Sequence, residues 1–284
     1  MGNVIEIENL TKSYGTFPVF YDLSLSIKEH TATAILGPNG CGKTTLLKTI
    51  LGVTKVNFGN ISIFDKIVLS KGQFNKDNLS YARRKIGFIP DKIMFYEHLT
   101  AFEYLQLIDV LAQSNQSVNE ESRTDFINSL LKEFRLDRWS NRIINTFSTG
   151  TRQKLALVAS LVHKPELMIM DEPFRGIDPE AKFKFLKYLN EYRDTGLETF
   201  GIQKPGSIVI CSHNLVDIQK LCNYVHVMNE YGEIVISGSM AEVTDKLQGK
   251  KFEELLFRIL NDEDIIDQRL EDELEKMEED FQND

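Results

Sequence analysis

The sequence has no long hydrophobic run, few cysteines and no cluster of basic residues, and each absence excludes a class of protein. No stretch of its 284 residues approaches the roughly 18 apolar residues that a membrane-spanning helix requires. The three cysteines, Cys41, Cys211 and Cys222, lack disulfide or metal-ligand spacing, which favours a reduced, cytoplasmic protein. Without a basic stripe, a nucleic-acid partner is not expected.

Negative charge is concentrated near the C-terminal end. Residues 262–284 contain twelve acidic and two basic residues, so the rest of the chain is nearly neutral despite the net charge of −9. Leu270, Leu274, Met277 and Phe281 would form one apolar stripe on an acidic helix. Two interpretations remain open: this helix packs on its own domain, or it binds a partner or a second copy.

Strand and helix patterns alternate along most of the chain. VIEIENLTKSYG and FYDLSLSIKEH predict half-buried strands, whereas TATAILG, LMIMD and SIVICS predict buried ones. GNISIFDKIV suggests one further strand, and VHVMNEYGEIVISG a hairpin. From Thr100 to His163, apolar residues recur at helical spacing and predict a helical insert. The order is typical of an α/β protein.

A glycine-rich stretch, GPNGCGKT from Gly37 to Thr44, fits the pattern G-x-x-x-x-G-K-[ST]. It follows a predicted buried strand and begins a predicted helix, so its backbone N–H groups can surround phosphate oxygens. Lys43 would reach the β- and γ-phosphates, and the Thr44 hydroxyl would bind Mg²⁺. Cys41 is interpreted as a small loop residue rather than a nucleophile.

Two acidic residues end the apolar strand LMIMD. Open α/β sheets bind ligands at the carboxyl ends of their strands, where Asp171 and Glu172 lie. Asp171 would hold Mg²⁺ through water, and Glu172 would accept a proton from an attacking water. The alternative is that Glu172 only caps the next turn. His213 follows the strand SIVIC and would face the same crevice as a γ-phosphate contact, although a lone histidine is more often structural.

A second candidate anion site lies in FSTGTRQKL, where Ser148, Thr149 and Gly150 precede a helical pattern. The first turn of a helix has free N–H groups and the positive end of the helix dipole, and therefore attracts anions.

Together these motifs resemble the ATP-binding cassette (ABC) ATPases over about residues 3–240. GPNGCGKTT is similar to their phosphate loop, FSTGTRQKL to their signature motif and LMIMDEP to their Walker B strand. RGID, ending at Asp178, resembles their D-loop, His213 matches their switch histidine and Tyr14 the aromatic residue that stacks on adenine. The order and spacing of the motifs make the resemblance specific.

The resemblance implies ATP and Mg²⁺ as ligands. Glu172, His213 and Asp91 would be catalytic, and Thr44, Asp171 and Asp91 would serve the metal. The implied nucleotide-binding residues are Tyr14, Gly37, Pro38, Asn39, Gly40, Cys41, Gly42, Lys43, Thr44, Thr45, Ser148, Gly150 and Asp178.

The implied fold is α/β: a P-loop NTPase (RecA-like) core with an antiparallel β subdomain, a helical signature subdomain and a C-terminal helical extension. The ATPase domain would span residues 1–242, its helical subdomain about residues 100–163, and the acidic extension residues 243–284.

Two positions depart from the family pattern. Asp91, in KIGFIPD, replaces a glutamine that senses Mg²⁺ and the attacking water, and an ionised carboxylate cannot donate a hydrogen bond. Thr149 and Thr151 replace the usual glycine and glutamine of the signature. Family members that serve export permeases often carry such changes, so the resemblance favours an exporter. The loop at residues 194–206 is longer than expected and has no assigned role.

The function implied is the ATPase subunit of a membrane transporter, at the cytoplasmic face of the membrane, with a permease on a separate chain. Each ATP would lie between the phosphate loop of one copy and the Ser148–Gly150 turn of another, in a homodimer or heterodimer. The alternative is a soluble ABC ATPase acting on ribosomes or DNA. The single cassette and about 110 residues between phosphate loop and signature disfavour it. Glu172 and His213 disfavour a subunit without hydrolysis.

Overall fold

The computed structural model describes residues 2–112, 120–212 and 215–246. Within these residues the chain forms eleven strands in two sheets, together with eight α-helices. The strands are β1 (Asn3–Tyr14), β2 (Phe17–Lys28), β3 (Ala32–Leu36), β4 (Phe58–Ile63), β5 (Lys66–Ser70), β6 (Gln73–Phe74), β7 (Ile86–Ile89), β8 (Leu167–Asp171), β9 (Ser207–Cys211), β10 (Tyr224–Met228) and β11 (Ile234–Ser239). The helices are α1 (Lys43–Ile50), α2 (Lys76–Arg83), α3 (Ala101–Ala112), α4 (Glu120–Glu133), α5 (Thr149–Leu161), α6 (Pro179–Asp194), α7 (Leu215–Leu221) and α8 (Met240–Lys246).

The larger sheet has the order β11-β10-β3-β9-β8-β7 and is parallel except for the β10–β11 hairpin. Every residue of β3, β8 and β9 is buried, as the unbroken apolar runs of these strands predict. Because β8 and β9 are parallel neighbours, with Asp171 opposite Cys211, their carboxyl ends lie side by side. The α/β fold is therefore confirmed.

The smaller sheet is antiparallel, with the order β2-β1-β4-β5-β6. The single strand expected in GNISIFDKIV is wrong, because the stretch forms the hairpin β4–β5. Phe64 and Asp65 at the turn both have positive φ, the conformation that reverses a chain tightly between paired strands. One apolar cluster lies between this sheet and the larger sheet and includes Leu46 and Leu47 of α1.

A helical segment follows β7, as predicted. At its start Thr100 and Glu103 form reciprocal hydrogen bonds, a capping box that fixes the beginning of α3. The polar residues before β7 also contain a helix, α2, which the sequence patterns did not predict; Asn75 caps it.

The loop at residues 194–206 is packed on the body of the protein. Leu197 and Ile202 pair across it as a β-bridge, and the Phe200 ring contacts the rings of Phe126 and Tyr188. The loop thereby joins α4 to α6. At the C-terminal end, Val243 of α8 is buried in the core. Of the predicted extension, residues 247–284 lie outside the described residues.

Candidate functional site

The phosphate loop connects β3 to α1. Gly42 precedes α1 with φ of 106° and no side chain caps the helix, which leaves its first-turn N–H groups facing the loop. Gly37 lies so close to its neighbours that an added Cβ would be 2.7 Å from both the Met228 carbonyl oxygen and Cys41 Sγ. The narrow loop therefore requires glycine here.

Lys43 lies folded over this loop. Its ammonium donates hydrogen bonds to the carbonyl oxygens of Gly37 at 2.7 Å and Pro38 at 2.8 Å. These are neutral acceptors, so a phosphate group offers the ammonium a stronger charge-assisted partner in the same place. The Cys41 thiol is buried beside it, and burial raises the pKa of this thiol. The burial favours the interpretation of Cys41 as a small loop residue rather than a nucleophile.

The phosphate loop and the carboxyl end of β8 meet at a hydrogen bond. Thr44 Oγ1 donates to Asp171 Oδ2 at 2.6 Å, although the two residues are far apart in sequence. Burial raises the pKa of Asp171, and the neighbouring carboxylates Asp91 and Glu172 add to this effect. Two oxygen atoms that suit a hard cation therefore lie together, in a place where a cation would relieve the repulsion between carboxylates.

Glu172 lies one residue beyond β8 and has φ of 49°, a conformation uncommon for residues other than glycine. This turn directs its side chain away from the line of the strand, and Oε2 accepts a hydrogen bond from the Ser212 hydroxyl at 3.2 Å. The carboxylate is thus held at the ends of β8 and β9. His213, the next residue after Ser212, lies outside the described residues.

Asp91 follows β7, on the other side of β8, and forms an ion pair that the sequence did not predict. Arg175 Nη1 lies 3.3 Å from Asp91 Oδ1, so a residue of the RGID stretch faces the position that departs from the family pattern. Arg175 is three-quarters exposed, which makes the pair weak by itself. Its only signal in the sequence was an arginine three residues after Glu172.

Tyr14, at the end of β1, lies beside the phosphate loop helix. Its hydroxyl is 3.5 Å from Thr54 Oγ1, and the hydroxyls of Thr54 and Thr45 help to lower the pKa of Tyr14. The residue is 51% exposed. An aromatic ring that is anchored at its edge and open to solvent is suited to stack on a planar base.

The second candidate anion site lies at the start of α5 and differs from the first. Ser148 caps the helix: its oxygen accepts a hydrogen bond from Thr151 N at 3.2 Å and lies 2.9 Å from the Thr151 hydroxyl. Thr151, one of the two signature departures, therefore contacts the serine directly. Gly150 faces Gly176, whose carbonyl oxygen would lie 3.5 Å from an added Cβ.

Asp178 joins this helix to α6. It caps α6 through a hydrogen bond from Ala181 N at 2.9 Å, and it forms a 2.8 Å ion pair with Lys154 of α5. Both contacts lower the pKa of Asp178, with the Lys154 contact the larger cause. The signature helix and the RGID turn are thus connected within one chain.

A family model described as "ABC transporter" matches residues 20–175, more than half of the chain. The chain belongs to the ABC transporter family. Its ATP-binding domain binds and hydrolyses ATP, and the phosphate loop, Asp171 and Glu172 all fall within the matched residues.

Two relatives of this ABC ATPase are also named as ATP-binding proteins. It is 27% identical over 263 residues to the linearmycin resistance ATP-binding protein LnrL of Bacillus subtilis, covering 93% of this chain and 78% of that protein. It is 26% identical over 242 residues to the lipopolysaccharide export system ATP-binding protein LptB of Escherichia coli K12, covering 83% and 90% respectively.

Solved structures show the same fold. An ATP-binding subunit of an ABC transporter superimposes with a TM-score of 0.77 at 27% identity, covering 90% of this chain and 99% of that one. A dimeric post-hydrolysis ATP-binding cassette bound to ADP and Pi has a TM-score of 0.72 at 24% identity, covering 83% and 98%. The second likeness supports the fold alone.

Two further properties of the ABC ATPase concern membranes and metals. None of the helices in residues 2–112, 120–212 and 215–246 is long and apolar enough to cross a membrane. Over the same parts of the chain, no three histidine, cysteine or acidic side chains are grouped as a ready metal cage. Mg²⁺ needs no such cage, because it binds one or two carboxylates together with waters and substrate phosphates.

Proposed function

We propose that this ATPase is the subunit that drives a transporter, contacting no cargo itself and acting through a permease on a separate chain at the cytoplasmic face of the membrane. One observation carries the proposal: a phosphate loop that has its own lysine, threonine and carboxylate lies on the same chain as an exposed helix start that only Ser148 caps. Two copies paired head to tail join the phosphate loop of each to the Ser148–Gly150 turn of the other. ATP is then bound in the resulting interface.

Within one copy the residues have separate roles. Tyr14 stacks on adenine, and Lys43 exchanges its carbonyl contacts for the β- and γ-phosphates. The remaining phosphate contacts come from backbone N–H groups of Asn39, Gly40, Cys41, Gly42, Thr44 and Thr45. Gly37 and Pro38 shape the beginning of the loop around the phosphates. The Thr44–Asp171 hydrogen bond of 2.6 Å supports a Mg²⁺ site at these two oxygens, because both suit a small hard cation.

Glu172 accepts a proton from the attacking water. The water oxygen bonds to the γ-phosphorus, and the bond between the γ-phosphorus and the oxygen that leaves with ADP breaks. The carboxylate is supported in this role by its turn conformation and by the contact with Ser212. His213 is the proposed contact to the γ-phosphate. Hydrolysis removes the phosphate that holds the two copies together, so the dimer loosens.

Asp91 approaches the same Mg²⁺ and water, and its partner Arg175 offsets one of three neighbouring negative charges. Asp91, the signature threonines and the relatives named for export and resistance support an export role. Asp178 faces the second copy in the proposed dimer. Its ion pair with Lys154 supports the signature helix of its own chain.

A groove beside Asp91 is the proposed contact with the permease. It encloses about 540 Å³ between β7, α2, α3 and α5. Its apolar wall includes Met94, 89% exposed, and Leu111, 63% exposed, while Arg83 and Arg84 line one end. A short permease helix with an apolar face and an acidic end would match this surface. Pro90 lines the groove and directly precedes Asp91, so a displacement at the groove would act on Asp91.

Co-purification from membranes tests this proposal. The tagged ATPase should retain a hydrophobic membrane protein, and Met94→Asp should release it while ATP binding stays unchanged. Val53→Asp, at an exposed apolar residue outside the groove, is the control and should keep the membrane protein bound. Recovery with ribosomes or DNA instead of a membrane protein would overturn the transporter assignment.

We also propose a division of the chain into domains. The ATPase domain spans residues 1–242 and includes a helical subdomain over about residues 100–163, and an extension follows over residues 243–284. Helices α3 to α5 support the helical subdomain.

A further inference from the structure

Lys12 is a buried lysine that the proposed roles leave unexplained. It lies on β1 and is only 5% exposed, although lysine seldom loses contact with water. The pairing of β1 with β2 shifts register between Lys12 and Ser13, so the contact of Lys12 with Tyr14 is read from the side-chain positions and not from strand alternation. The Lys12 ammonium lies over the Tyr14 ring, 3.9 Å from its centroid.

Among the described residues, no carboxylate forms an ion pair with Lys12. Across residues 2–112, 120–212 and 215–246, the ion pairs involve other lysines and arginines. A lysine with so little contact with water gains from a second partner for its ammonium, and the electron-rich face of a tyrosine ring is one. The ring of Tyr14 is therefore a partner that the protein itself offers to this ammonium.

The contact has a consequence for the ring itself. With the ammonium over one face, a base can stack only on the opposite face. A cation on the near face also draws electron density through the ring, which reduces the repulsion between the far face and the π electrons of a stacked base. The hydroxyl contact with Thr54 fixes the outer edge of the same ring.

We propose that Lys12 is a positioning residue for ATP binding, which holds the Tyr14 ring and prepares its free face for the adenine base. This inference rests on the proposed role of Tyr14 in the nucleotide site. It differs from direct phosphate binding by Lys12, because Lys12 acts here only through the ring and only on ligands that carry a base.

The test compares ATP with tripolyphosphate, which has the phosphates but no base, by calorimetry on the full chain. Lys12→Met should weaken ATP binding about five- to twentyfold and leave tripolyphosphate binding within about twofold. Lys12→Arg should restore most of the ATP affinity, because a guanidinium also binds a ring face. In a Tyr14→Leu background, Lys12→Met should have little further effect.

Lys28→Met is the matched control. Lys28 Nζ lies 4.5 Å from the ring centroid of Tyr224 and is hydrogen-bonded to the Tyr224 hydroxyl, so this variant removes a lysine–tyrosine contact elsewhere. It should leave both affinities unchanged. Two results would overturn the inference. One is that Lys12→Met lowers the affinities for ATP and tripolyphosphate equally; the other is that Lys12→Met lowers the ATP affinity as much in the Tyr14→Leu background as in the unaltered chain.

The nucleotide site and the role of Lys12 can fail separately. If the unaltered chain binds ATP and Lys43→Ala abolishes that binding, the nucleotide site stands whatever Lys12→Met does. If ATP does not bind to the unaltered chain, the proposed site fails and the inference about Lys12 fails with it.

Discussion

The first turns of α1 and α5 both have backbone N–H groups that could bind an anion, but only the first turn of α5 has a side-chain cap. Gly42 leaves the first turn of α1 without a side-chain cap, whereas the Ser148 oxygen already accepts a hydrogen bond at the start of α5. The first site is supplied with Lys43 and Thr44 by its own chain. The second is satisfied internally, so a ligand must displace the contact between Ser148 and Thr151.

The difference supports the proposal that the two candidate anion sites have separate roles. A loop that offers uncapped helix N–H groups, a lysine and a threonine can bind ATP by itself. A self-capped, exposed helix start holds an anion weakly unless a second surface brings the anion to it. This supports the proposal that a second copy completes the signature.

The largest effect is expected when hydrolysis is blocked while the two copies remain paired around ATP. Glu172→Gln removes the proton acceptor and keeps the size of the side chain, so turnover should fall by about a hundredfold or more. The ATP-bound dimer should then persist. Phosphate release and light scattering measure the two effects, and turnover near that of the unaltered protein would refute the role of Glu172.

Matched glycine substitutions should separate the two sites. Gly37→Ala places a methyl group 2.7 Å from the Met228 carbonyl oxygen, so ATP binding by the isolated chain should fall about tenfold or more. In Gly150→Ala the nearest atom is 3.5 Å away, an ordinary contact. That variant should bind ATP normally and form less dimer with ATP. Similar losses of ATP binding in both variants would contradict the distinction.

A smaller effect is expected at Arg175, which connects the RGID stretch to Asp91. Arg175→Ala leaves Asp91 uncompensated near the γ-phosphate, and turnover should fall by up to about fivefold, the limit for an exposed ion pair. In an Asp91→Gln background the same change should have no effect. Arg135→Ala is the control, because Arg135 forms a similarly exposed pair with Glu180. A full effect of Arg175→Ala in the Asp91→Gln background would exclude action through Asp91.

The smallest effect is expected outside both regions. Removing residues 262–284 should leave ATP affinity within about twofold, because no proposed nucleotide contact lies there. Calorimetry measures the affinity and circular dichroism the fold. Loss of folding would place this segment in the core and favour the first interpretation of its apolar stripe.

The sequence predicted what depends on short, continuous patterns. Buried apolar runs located β3, β8 and β9, and the glycine-lysine motif located the phosphate loop between a strand and a helix. Contacts between distant side chains were not predictable in this way. Arg175 meets Asp91, and Lys12 becomes buried beside Tyr14, only because the fold or the strand register brings them together. Helix α2 was missed because its polar residues hide a weak apolar face.

The central claim, that each ATP site combines two copies, is tested most directly by mixing two inactive variants. Lys43→Ala disables the phosphate loop, and Gly150→Asp places a negative charge at the signature. In a mixed head-to-tail dimer, the intact phosphate loop of one copy meets the intact signature of the other, so ATP hydrolysis should recover to about a quarter of the normal rate. Hydrolysis no greater than the sum of the separate variants would contradict the account.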